Sequence, residues 1–143
     1  MTRAFISVSS PMLPGNFGVN TRTYGEYKYV VAFLAYCELC GYPSPEKSRY
    51  GLARLVQVIS NFYEDLDGVS VCQYRDSMPF SKYYECSNWR VLKIPEDESD
   101  DLSELNDIMQ DINRHMPSHQ QLSELVVADQ ALRVYKLLNK REI

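Results

Sequence analysis

Long apolar runs are missing from this 143-residue chain. The longest uncharged apolar stretch, Tyr29 to Cys37, covers nine residues, and a membrane-spanning helix needs about 20. The opening MTRAFISVSSPML has one base and only a broken apolar stretch. A secretory signal requires an apolar core of roughly 7–15 residues and a small-residue cleavage site. The expectation is a cytoplasmic chain, mature from Met1, with no membrane partner. Cysteine is scarce, at four. That is too few for a secreted disulfide scaffold and predicts reduced thiols. Histidine is scarcer still, at two, which leaves few carriers for acid–base or nucleophilic chemistry. No phosphate-cradling loop is present, and Gly15-x-x-Gly18 falls short of a dinucleotide fingerprint. No basic stripe exists to neutralise phosphates, so direct nucleic-acid binding is not expected.

What the chain does have is an ordinary globular mix, with 45% hydrophobic and 24% charged residues. Its length suits one domain, residues 1–143. Residues 3–9 alternate weakly and predict a short strand, and Pro11, Pro14, Gly15 and Gly18 predict a loop over 10–22. A helix follows. Thr23 and Glu26 have the spacing of a capping box, and Gly41 sits where a left-handed residue closes a helix. Tyr27, Val30, Leu34 and Cys37 form one stripe, and Tyr29, Phe33, Tyr36 and Cys40 a second, so this helix should be packed on two sides.

Ser44 and Pro45 mark the start of the second helix, and Leu52, Leu55, Val56, Ile59 and Phe62 its apolar face. Residues 69–75 and 87–94 are β-branched and aromatic and predict an antiparallel pair joined by an ordered loop, with strand 3–9 beside it. Leu102, Leu105, Met109, Ile112 and Met116 predict a third helix, stopped by Pro117. Ser118 and Gln121 then resemble a second capping box that opens a last helix to about Lys140. The two should form an αα-hairpin. The expected class is α+β, in the order β-α-α-β-β-α-α, with a small antiparallel sheet packed by about four helices.

The net charge of −4 conceals an asymmetry. Residues 96–113 hold eight acids (Glu96, Asp97, Glu98, Asp100, Asp101, Glu104, Asp107, Asp111) and no base. Acids favour a helix N-terminus by about 0.3–1 kcal/mol each, so a solvated helix start accounts for some of them. A negative surface that meets a basic partner accounts for the whole run. Tyrosine is in excess, at 11. Tyr83, Tyr84 and Trp89 crowd one stretch. They serve either as one face of a sheet or as an aromatic interface, since interfaces favour large amphipathic side chains.

Three chemical constellations compete with that reading. Cys37-x-x-Cys40 and His115-x-x-x-His119 have the ligand types of a zinc site. The pairs are too far apart in sequence, Pro117 divides the histidines, and both cysteines continue apolar stripes. A redox role for Cys37 and Cys40 conflicts with their place at a helix C-terminus, where the dipole disfavours thiolate. Cys72 and Cys86 fall on the two later strands and could be neighbours. Glu64, Asp65 and Asp67 before Gly68 read as a helix end and turn, without the remaining ligands of a calcium loop.

No catalytic, cofactor or metal residue is therefore expected. The expectation is a non-enzymatic inhibitor or modulator. It would engage a protein partner through Glu96, Asp97, Glu98, Asp100, Asp101 and Glu104 together with Tyr83, Tyr84 and Trp89. A basic, nucleic-acid-binding groove on that partner fits such a surface, in the manner of small acidic phage or plasmid proteins that act against host defence. The alternatives are a small intracellular enzyme with a Cys/His site and a zinc-stabilised interaction module.

Overall fold

β1 (Ala4–Val8) runs down the middle of a five-stranded sheet. The computed structural model describes residues 3–8, 17–63, 68–73, 82–94 and 101–139. The remaining elements are β2 (Phe17–Thr21), α1 (Tyr27–Leu39), α2 (Arg49–Tyr63), β3 (Val69–Gln73), β4 (Lys82–Ser87), β5 (Arg90–Val91), α3 (Leu105–His115), a 3-10 turn over Ser118–Gln120, and α4 (Glu124–Asn139). The class is α+β, with four α-helices and one sheet among the described residues.

The sheet order is β3-β2-β1-β4-β5. Three expectations need correction here. The sheet is mixed, because β1 pairs parallel with β4 (Ala4 opposite Lys82, Val8 opposite Cys86) while every other pairing is antiparallel. The loop expected over 10–22 contains β2. Gly18 is a strand residue, opposite Ser7, and not a turn residue. The position is glycine because a Cβ there would sit 2.3 Å from the Ile6 carbonyl oxygen and 2.8 Å from the Phe5 ring. The later strands also differ. β4 falls in the loop expected before residue 87, the strand expected over 87–94 is the Asn88–Trp89 turn and the two-residue β5, and β3 pairs with neither β4 nor β5.

Asn88 and Trp89 have φ of +51° and +62°, the two left-handed residues of a type I′ hairpin turn. Asparagine suits that conformation and tryptophan does not. The indole compensates by burial, and its Nε1 donates to the Tyr42 carbonyl at 3.0 Å.

Ala4, Ile6 and Val8 of β1, Val19 of β2, Tyr84 and Cys86 of β4 and Val91 of β5 join residues of all four helices in one hydrophobic cluster. α1 is its axis. Residues 30–37 are all buried, as the two stripes required. α1 contacts α2, α3, α4 and β5.

The end of α1 follows the expected chemistry. Gly41 has φ +77°, Gly41 N–H bonds to the Glu38 carbonyl at 3.0 Å, and Tyr42 N–H bonds to the Cys37 carbonyl at 3.2 Å. This is a Schellman closure. Its start does not. Glu26 is the N-cap, with no side-chain cap. Thr23 lies outside the helix, its backbone N–H donating to the Tyr63 hydroxyl at 2.8 Å.

α2 begins later than Ser44. The Ser44 carbonyl closes a turn with Lys47 and Ser48 N–H before the helix opens at Arg49. α4 likewise begins after Ser118. Ser123 Oγ accepts Val126 N–H at 3.2 Å and so caps it. Gln121 instead donates to the Arg114 and Met116 carbonyls at the end of α3. α3 and α4 pack on each other as the expected helical hairpin.

Candidate interaction surface

α3 buries Leu105, Ile108, Met109 and Ile112, which turns Glu104, Asp107 and Asp111 outward. Asp101 precedes them and is exposed. Glu96, Asp97, Glu98 and Asp100 lie outside the described residues. Local chemistry occupies several of the others. Asp101 accepts Ser103 N–H at 2.9 Å, and this bond holds its carboxyl below the usual aspartate value. Glu104 Oε2 takes Lys28 Nζ at 2.5 Å, and that bond lifts the ammonium above the usual lysine value. Asp111 Oδ1 stands 3.8 Å from both Arg114 and His115. The acidic run thus ends as a stripe along α3, tied to α1 by one ion pair.

The aromatic residues separate. Tyr83 and Tyr84 are consecutive on β4 and must face opposite sides of the sheet. Tyr84 points into the core, fully buried, and its hydroxyl donates to the Gly25 carbonyl at 2.6 Å. Trp89 is buried as well. Neither presents the surface that was expected of it. Tyr83 is half-buried and stacks on Phe5 with ring centroids 5.9 Å apart.

Among the described residues, Tyr27, Tyr36 and Tyr84 are buried, five more tyrosines are half-buried, and Tyr50 and Tyr135 are exposed. Tyr36 bonds Asn113, Tyr63 holds both the N–H and the carbonyl of Thr23, and Tyr24 meets Tyr29, Phe62 and Tyr63 within 5.3 Å. Tyr24 has φ +57° at this corner, another left-handed aromatic held by packing.

The Cys and His residues are scattered. Cys37 is fully buried in α1, and burial pushes its thiol well up. Burial also raises the Cys40 and Cys86 thiols. His115 packs edge-on against Phe62 at 5.3 Å, with Nδ1 2.8 Å from the Asp111 carbonyl oxygen. His119 is exposed on the 3-10 turn. Among the described residues, no three His, Cys, Asp or Glu side chains stand close enough to hold a metal ion. Cys72 and Cys86 are not neighbours. β2 and β1 lie between their strands, so three strand spacings, about 14 Å, separate them. All four cysteines are free thiols. The Glu64–Asp67 carboxylates lie outside the described residues.

Sequence reasoning passed over one surface. A cavity of about 360 Å³ opens between the start of α3 and the middle of α4, lined by Leu102, Leu105, Asn106, Ala131, Leu132 and Tyr135. Leu125, Leu132 and Tyr135 are 84%, 50% and 40% exposed on the same helix. The signal was present, since α4 reads as apolar on most of its circumference. Among the described residues no helix is long and apolar enough to cross a membrane. No family model, curated protein or solved structure matches the chain.

Proposed function

We propose that this chain is a non-enzymatic protein-binding domain that engages a basic surface on a protein partner through the acidic edge of α3. One observation carries the reading. Eight acids and no base occupy residues 96–113, and the described part of that run lines up outward as Asp101, Glu104, Asp107 and Asp111. Such a stripe concentrates negative potential and accelerates encounter with a positive groove. A groove built for nucleic acid has that polarity, and a chain lodged in it acts as an inhibitor, in the style of phage or plasmid proteins directed at host defence. The burial of Cys37 and Cys86 and the scatter of the described Cys and His residues favour this reading over a Cys/His site.

The test is comparative capture from lysate of the source cell, with wild type and with D101K/D107K, which leaves the Lys28–Glu104 pair intact. Proteins retained by wild type and lost by the variant are then titrated over a salt series. The reading requires affinity to fall with salt for wild type and to flatten for the variant. Equal affinity and equal salt dependence for both chains reject it.

A further inference from the structure

α4 is apolar on two sides, and among the described residues only one of them is buried. Val127, Ala131 and Val134 are buried against the rest of the molecule. Leu125, Ala128, Leu132 and Tyr135 form a second stripe at 3-4-3 spacing, which is the seam of a helix that pairs with another helix. Of the eight large hydrophobic residues exposed among the described residues, five lie on α4; Leu125, Leu132 and Tyr135 fall on this stripe, while Val126 and Leu137 lie on another side of the helix. Scattered exposed apolar residues need no explanation, but a contiguous group marks an interaction site.

The charges along α4 identify the occupant. Its first part, residues 124–129, carries Glu124 and Asp129 and no base. Residues 130–139 carry Arg133 and Lys136 and no acid. The helix is therefore complementary to itself when reversed. A parallel pairing would set acid beside acid and base beside base.

We propose that α4 docks antiparallel on α4 of a second copy of this chain. Leu132 meets Leu132 of the second copy on the two-fold axis. Tyr135 lies over the small Ala128 of the second copy, and Asp129 faces its Lys136. Symmetry makes each off-axis contact twice. The cavity of about 360 Å³ borders this seam on its α3 side and receives aliphatic side chains from the second copy. Asp129 already pairs with Arg133 of its own helix at 3.2 Å, with the two side chains 62% and 75% exposed. An ion pair so exposed contributes little, so sharing Asp129 across the seam costs little.

Sedimentation equilibrium of the full chain, from micromolar to millimolar concentration, tests this. Wild type should approach twice the 16.6 kDa chain mass. L132D should stay at the single-chain mass with an unchanged circular dichroism spectrum. K136D should weaken association by roughly tenfold or more, and D129K/K136D should restore it. L132C should cross-link to itself on mild oxidation, and L125C should not. A wild-type monomer at every concentration overturns the proposal, and leaves another segment or another protein on the stripe. A dimer indifferent to L132D overturns it too. If L132D fails to fold, the charge pair decides, and absence of both loss and rescue is the overturning result.

Discussion

The Tyr36 hydroxyl donates to Asn113 Oδ1 at 2.7 Å across the interior, joining α1 to α3. The same Oδ1 accepts Leu122 N–H at 2.9 Å, and Asn113 Nδ2 donates to the Leu122 carbonyl at 2.7 Å. One buried amide thus fixes α1, α3 and the approach to α4. Asn113→Ala leaves the Leu122 N–H and carbonyl without their partner, takes the acceptor from the Tyr36 hydroxyl, and should lower stability by about 3 kcal/mol. Tyr36→Phe leaves Oδ1 still bonded to Leu122 and should cost about 1 kcal/mol. Urea denaturation of both variants and of the double variant measures the coupling. A strictly additive pair would contradict a shared network.

Gly51 lies in the first turn of α2, where alanine ordinarily improves a helix by about 0.5–1 kcal/mol. Here a Cβ would stand 2.0 Å from the Pro43 carbonyl oxygen, which is backbone and cannot swing aside. Gly51→Ala should therefore destabilise, by about 1–3 kcal/mol or more. Thermal melting gives the sign directly.

The Asn88–Trp89 turn predicts an inverted order of substitutions. Trp89→Ala loses the buried indole, at a cost of about 3–5 kcal/mol, and keeps a Cβ at φ +62°. Trp89→Gly loses the same indole and relieves the left-handed strain, worth about 1–2 kcal/mol. The glycine variant should be the more stable of the two. If alanine is better tolerated, the turn conformation is not the one described.

Burial sets the response to alkali. Cys37 and Cys86 have thiols raised above 9.0, and Tyr36 a hydroxyl raised above 10.0, with desolvation the largest cause in each. The folded state then holds protons that the unfolded state releases. The contribution of these three groups should be level below pH about 8.5 and fall as pH rises through the unfolded thiol and phenol range. Chemical denaturation across that range checks it. At neutral pH a thiol reagent should label Cys40 and Cys72, which are half-buried, well before Cys37 and Cys86, which are buried.

The helices were readable because their signals are local. Period, the Gly41 closure and the Pro117 stop all lie within a few residues of what they specify. The sheet was harder for the opposite reason. The parallel pairing of β1 with β4 joins residues 4–8 to 82–86, and no local signal encodes which strand lies beside which. β2 was hidden because its Gly18 answers to the Phe5 ring and the Ile6 carbonyl, a close approach made in space. At the candidate surface, composition gave the charge asymmetry. It could not divide the tyrosines between surface and interior. Alternation along β4 does separate Tyr83 from Tyr84. The hairpin that buries Trp89 places two left-handed residues where only Asn88 is usual for them.

The central place of β1 has a consequence for the order of events in folding. One neighbour of β1, β2, is made soon after it, but the other, β4, is complete only when synthesis reaches residue 87. Until then a mostly apolar strand, AFISV, has one edge open while α1 and α2 have already emerged. The closing step joins segments some 78 positions apart, as Val8 and Cys86 show, and such distant pairings are slow and exposed to aggregation. A pause or truncation before β4 should strand the nascent chain as a helical pair with an unfinished sheet. A split protein cut in the 74–81 connection should regain structure only when both pieces are present together.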